Sequence, residues 1–229
     1  MTARRFRLNN SFGIILLTGF LVLISFFAQA NADGFFTCSK NGTETEKSLC
    51  TDKDMQSWNK KLAKAVSGIT AETRYGEQLL EATRLWNDPE SAYDAYDLQK
   101  HYDFVKFGST MSNCLTEKSF DECVEITPKC YKTSHTTLDM NRCDSAEVEV
   151  LELIEKFESA EFKSRNEGDV ETIDLFNEAY PLWTQSVDAD CAWKFSHFRQ
   201  GTMRSAVILR CYRDHLHLRI GWLHDDNDR

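Results

Sequence analysis

Eight cysteines, all beyond residue 37, constrain this 229-residue chain more than any other feature. They are Cys38, Cys50, Cys114, Cys123, Cys130, Cys143, Cys191 and Cys211. An even number in an exported chain favours structural disulfides over free thiols. Metal ligation fits less well, because no CxxC pair occurs and the nearest two, Cys123 and Cys130, lack zinc-finger spacing. Eight cysteines permit 105 pairings, so connectivity has to be argued from structure.

Export is written at the N-terminus. Arg4, Arg5 and Arg7 precede an apolar run from Phe12 to Phe27, and Ala30-Asn31-Ala32 closes it. A basic region, an apolar region and a small-x-small site make a secretory signal peptide over residues 1–32. Phe12 to Ala32 is also long enough for a membrane anchor, but Thr18, Ser25, Gln29 and Asn31 interrupt it and favour cleavage. No membrane contact is expected after cleavage. Loss of residues 1–32 removes three arginines and no acid, leaving 24 basic against 36 acidic residues and a charge of −12. That balance argues against nucleic acid and anionic membranes as partners. It suits solubility, and it permits a basic protein partner.

Helix signals dominate the remainder. Only three prolines and ten glycines occur, and no alternating strand pattern persists. Thr51 or Asp52 caps a helix carrying Met55, Trp58, Leu62, Ala65 and Ile69 at three- and four-residue steps. A second runs from Pro89 toward Phe104, with Asn87 and Asp88 ahead of it. A third opens at Asp144 or Ser145 and carries Val148, Leu151, Ile154, Phe157 and Phe162. Gly168-Asp169 starts a long helix bearing Val170, Ile173, Phe176, Tyr180, Trp183 and Val187. Gly201 breaks it, and Thr202 caps a last helix with Val207, Cys211, His215, Leu218 and Trp222 on one face. The expectation is an all-α fold of disulfide-stapled hairpins or a bundle, with no cofactor.

Cysteine spacing narrows the pairings. Cys191 and Cys211 each lie ten residues from Gly201, hence about 15 Å from the turn of an antiparallel hairpin. They should face each other. Cys38 and Cys50 enclose eleven residues, and Cys130 and Cys143 enclose twelve. Each second cysteine has an acid four residues earlier (Glu46, Asp139) and a threonine seven earlier (Thr43, Thr136). That half-repeat suggests two equivalent loops, each followed by a helix. Cys114 and Cys123 then pair by elimination.

The Cys-Thr-acid-Cys lead, Trp183 eight residues before Cys191, Gly201-Thr202, and Cys211 followed by Arg219 and Leu223 together resemble the LprI-like lysozyme-inhibitor family. The resemblance runs from about Cys130 to Leu223, and residues 36–110 resemble a degenerate first copy. It implies a helical segment over 33–125 and a helical domain over 126–225, in a small bacterial protein that is periplasmic or secreted. Asp188 and Arg219 fit the family pattern, whereas Val187 stands where an arginine is usual and Leu216 where a hydroxyl is usual.

The functional expectation is a non-enzymatic protein that binds and blocks a lysozyme or another wall hydrolase. A basic lysozyme suits an acidic binder, and the loops closed by Cys38–Cys50 and Cys130–Cys143 are candidate contact surfaces. The alternative is an envelope interaction or immunity protein. A metal site from His215, His217 and His224 is disfavoured, since His215 suits the core stripe and His224 with its acids reads as a solvated tail. No GxSxG, HExxH, phosphate-loop or dinucleotide pattern occurs.

Overall fold

Capping explains where most helices begin. The computed structural model describes residues 34–227 except 87–92, 128, 130, 131, 133, 199, 200 and 202. Among the described residues there are eight helices: α1 Glu44–Leu49, α2 Lys53–Val66, α3 Gly76–Leu85, α4 Ala95–Cys114, α5 Phe120–Ile126, α6 Thr137–Arg165, α7 Val170–Ser196 and α8 Arg204–Asn227. The signal segment, Asn87–Pro89, Cys130 and Thr202 lie outside the described residues.

The half-repeat of the sequence is a repeated capping box. The Thr43 hydroxyl accepts from the Glu46 backbone N–H at 3.3 Å, and the Glu46 carboxylate accepts from the Thr43 N–H at 2.7 Å. Thr136 and Asp139 make the same reciprocal pair at 3.0 and 3.2 Å. Each box satisfies two N–H groups that a helix start would leave open. The helices therefore begin at the threonines, ahead of the second cysteines. Cys50 is the C-cap of α1, whereas Cys143 and Asp144 lie inside α6, one to two turns after the helix start and not ahead of it as expected. α2 does begin at Asp52, whose carboxylate accepts from the Asp54 and Met55 N–H groups. α4 begins later than expected, after Asp94, and continues past Phe104 to Cys114.

α6 lies at the centre, packed on α4 and most extensively on α8. α2 covers α4, and α7 packs on α8. α3, unforeseen from the sequence, sits against α4 where Gly108 lets Leu79 in; a Cβ there would collide with the Leu79 side chain. One cluster of buried apolar side chains spans both sequence segments, including Leu62, Leu98 and Val105 from the first and Leu151, Ile154 and Ile220 from the second. The segments thus share a core.

Among the described residues, three disulfides staple this arrangement: Cys38–Cys50, Cys114–Cys123 and Cys191–Cys211. The last joins α7 to α8 across a Cα separation of 5.6 Å, as the hairpin argument requires. Cys114–Cys123 ties the end of α4 to α5. Cys143 is also disulfide-bonded.

The expected stripe on α8 needs correction. Leu218 and Trp222 are 75% and 55% exposed, while Leu216, Ile220 and Leu223 are buried. Apolar residues occur on two faces of this helix, so three- and four-residue steps alone do not identify the face toward α6.

Candidate functional site

The core of the molecule is charged as well as apolar. α6 buries Asp144, Glu147, Glu155 and Glu158. They recur at the same helical steps as Leu151 and Ile154, so one stripe carries both kinds of side chain. A buried carboxylate costs several kcal/mol unless paired. Arg210 Nε donates to Asp144 Oδ2 at 3.1 Å, and Arg219 Nε donates to Glu155 Oε1 at 2.9 Å. Arg74, in the turn before α3, holds Glu158 with two nitrogens at 2.9 and 3.1 Å. The buried Tyr75 hydroxyl donates to the same carboxylate. Between these pairs, Glu147 lies 3.9 Å from Arg213 Nη1 and 4.0 Å from His217 Nε2.

Burial sets the protonation of this row. It raises the Glu147 carboxyl to about 7, against the pull of Arg213. It lowers His217 to about 4, with Arg213 adding to the effect. For Asp144, burial outweighs Arg210 and raises the pKa.

Beside the row, α6, α7 and α8 enclose a cleft of about 270 Å³. Tyr180, Trp183 and Val187 of α7 and Tyr212 and Leu216 of α8 form its walls. Glu152 and Lys156 of α6 and Asp188 of α7 stand on its rim, and the Tyr212 hydroxyl donates to Asp188 at 2.8 Å. Glu155 closes the floor, accepting from Ser159 at 2.7 Å and from Tyr180 at 3.2 Å. Behind it, the Arg219 guanidinium lies 5.2, 5.0 and 4.6 Å from the ring centres of Phe176, Tyr180 and Trp183. These aromatic faces attract the cation, and the ion pair with Glu155 fixes it beneath the walls.

What the cleft offers chemically is a hydrophobic slot with two rim carboxylates against one ammonium. A cationic group with an apolar stem fits such a surface: the stem lies on the rings and the charge meets Glu152 and Asp188.

The other expected sites are arranged differently. The Cys38–Cys50 loop borders a more open depression of about 410 Å³ over Phe36, Asn59 and Lys60. Asn59 makes reciprocal 2.7 Å hydrogen bonds with the Phe36 backbone there. The Cys130–Cys143 loop lies partly outside the described residues. His215 leaves the core stripe and pairs with Asp190 at 2.7 Å. His224 is no solvated tail: it is 2% exposed and packs near Phe120. Among the described residues, Cys191, Cys211 and His215 form the one convergent group of three metal-type donors, within 4.8 Å. The disulfide uses both of its sulfurs.

Sequence reasoning misses the buried acids, because it treats carboxylates on helices as solvated. The legible signal is a matched pair of stripes, with acids at 144 and 147 and cations at 210 and 213 on the two long helices that pack together. No family model, curated protein or solved structure matches the chain, and among the described residues no helix is long and apolar enough to cross a membrane.

Proposed function

We propose that this is an exported, non-enzymatic protein that binds a lysozyme or related wall hydrolase and blocks it, with the α6–α7–α8 cleft taking a basic side chain of the target. One observation carries the reading. Three of the positions that bear the family resemblance gather at this cleft: Trp183 and Asp188 line it, and Arg219 lies behind its floor. The two departures, Val187 and Leu216, line it as well. Replacing a usual arginine and a usual hydroxyl with apolar side chains leaves a greasier slot, which favours an arginine or lysine stem from the partner.

The charge balance supports the same partner class. An acidic protein is steered toward a basic enzyme, and opposite charges raise the association rate more than the final affinity. The disulfides and an ion-paired core hold the surface rigid, which lowers the ordering cost of binding.

Turbidity loss of a cell-wall suspension provides the test. Molar excess of the protein should slow at least one basic lysozyme, and added salt should weaken the effect. Glu152→Gln and Asp188→Asn, both at exposed positions, should weaken it further while leaving the fold intact. Unchanged lysis by several lysozymes would overturn the proposal.

A further inference from the structure

α7 is a 27-residue helix of which only Phe176, Val187 and Cys191 are buried. Those three face α8 and the cleft. A second apolar seam runs along the solvent side of the helix, flanking the buried one. Leu175, Leu182 and Trp193 are 59%, 65% and 62% exposed. Exposed Ala179, Ser186 and Ala189 fill the positions between them. The spacing alternates between four and three residues along its whole length, which is the repeat by which one helix buries a seam against another. No charged side chain interrupts it. An apolar stripe this regular on the solvent side of a helix needs a partner more than a scattered exposed leucine does.

We propose that this seam is a homodimer interface, in which α7 of one copy packs antiparallel on α7 of a second copy of the chain. The seam is self-complementary in that direction. With the two-fold axis near Thr184, Leu182 of each copy meets Ser186 of the other, Ala179 meets Ala189, and Leu175 meets Trp193. Large residues cover small ones at the centre, and the alanine pairs let the backbones approach. The charges select the same orientation. Glu171, Asp174 and Glu178 cluster beside the N-terminal half of the seam, and all are exposed. Parallel pairing would align the two helix dipoles and bring the acidic ends of both helices to the same end of the pair. Antiparallel pairing sets them toward the half that carries Gln185, Ala192 and Ser196 along the seam, which are uncharged, and opposes the two helix dipoles. A two-fold interface of this kind uses one patch on both subunits. It also leaves both clefts open, since they lie on another face of α7.

Sedimentation of the purified, oxidised protein over a wide concentration range tests the interface. The expected result is a monomer–dimer equilibrium, with the dimer lost in Leu182→Glu while helicity and the disulfides are retained. Leu175→Lys and Trp193→Glu should each abolish dimerisation, and the double variant should restore it. Restoration is specific to antiparallel pairing, because only then do positions 175 and 193 of different copies meet and bring the introduced ammonium to the introduced carboxylate. A protein that stays monomeric at every concentration would overturn the proposal, as would a dimer that survives Leu182→Glu. A dimer lost in the single variants but not restored in the double would overturn the antiparallel register. Should the wild type be monomeric while Leu182→Glu loses hydrolase inhibition, the seam belongs to the target enzyme and the homodimer is wrong.

Discussion

Glu147 and His217 face each other at 4.0 Å across the α6–α8 seam, and burial shifts both toward neutrality. The carboxyl is raised to about 7 and the imidazole lowered to about 4. Arg213, Asp144, Asp214 and Lys129 supply the surrounding charge. At pH 6 the pair is therefore mainly a neutral acid beside a neutral base, although the 4.0 Å separation alone would suggest a salt bridge.

The two shifts have opposite consequences for stability. Glu147 binds its proton more tightly folded than unfolded, so its contribution is full below about 4.5 and is lost as pH rises through about 7. His217 binds its proton less tightly folded, so its contribution is absent near pH 4 and grows until about 6.5. Each shift corresponds to roughly 3 kcal/mol at about 1.4 kcal/mol per pKa unit, and between pH 4.5 and 6.5 they offset. Urea unfolding across pH 4–8 should expose each one when the other is removed. Relative to the wild type, Glu147→Gln should gain stability as pH rises to about 7, and His217→Gln should lose stability between about pH 4 and 6.5. Two variant curves parallel to the wild type would show that neither shift exists.

Most helices are legible in the sequence because their signals are local. Asp52 and Asp169 act as caps where the sequence places them, and the Cys191–Cys211 staple follows from distance along two helices and a turn. The start of α6 is harder to place, because Thr136 and Asp139 fall between two cysteines and look like parts of a disulfide loop. Threonine with an acid three residues on also marks a capping box, and that signal is the one the fold uses. The cleft is not legible. Its walls come from three helices, and Trp183 fits a core stripe by its spacing although it stands with Glu152 and Tyr212 around the cleft. The buried acids are hidden for a related reason: the cations that make Asp144 and Glu155 tolerable inside come from a distant helix, α8.

Arg219 should be the most sensitive single cation in the chain. It is the ion-pair partner of Glu155, whose side chain is 3% exposed, and its guanidinium packs against three rings. Arg219→Ala removes the cation and leaves the carboxylate buried, at an expected cost of about 3–5 kcal/mol. Arg219→Lys keeps the charge but not the planar contact with the rings, so it should recover only part of that loss. Adding Glu155→Leu to Arg219→Leu should restore much of the stability, because no charge is then left unpaired. Chemical denaturation of these variants beside the wild type checks the order, and a fully additive double variant would refute the coupling.

The repeated capping box makes a graded prediction. Thr136→Ala should cost about 1 kcal/mol, since α6 is the central helix and its start stands beside the Asp139–Arg142–Asp103 ion pairs. Thr43→Ala removes the same box from a six-residue helix at the edge of the fold. Its effect should appear mainly as faster amide exchange over residues 44–50, with a smaller change in global stability. Equal global losses in the two variants would contradict the central placement of α6.

The hairpin staple should matter most for α7. That helix contributes few buried residues and makes its main packing contacts with α8, so Cys191–Cys211 substitutes for the hydrophobic contact it lacks. Replacing both cysteines with serine opens a closed loop of about twenty residues and should cost about 3 kcal/mol. The loss should be uneven. Amides of α7 should lose protection well before those of α6, which is held on both sides by α4 and α8. Because Tyr180, Trp183 and Asp188 ride on α7, any binding through the cleft should weaken in the same variant even at temperatures where α6 and α8 remain folded. Hydrogen exchange resolved by helix, measured beside lysozyme inhibition, tests both parts. Protection lost uniformly across α6, α7 and α8 would mean that the hairpin does not open as a separate unit.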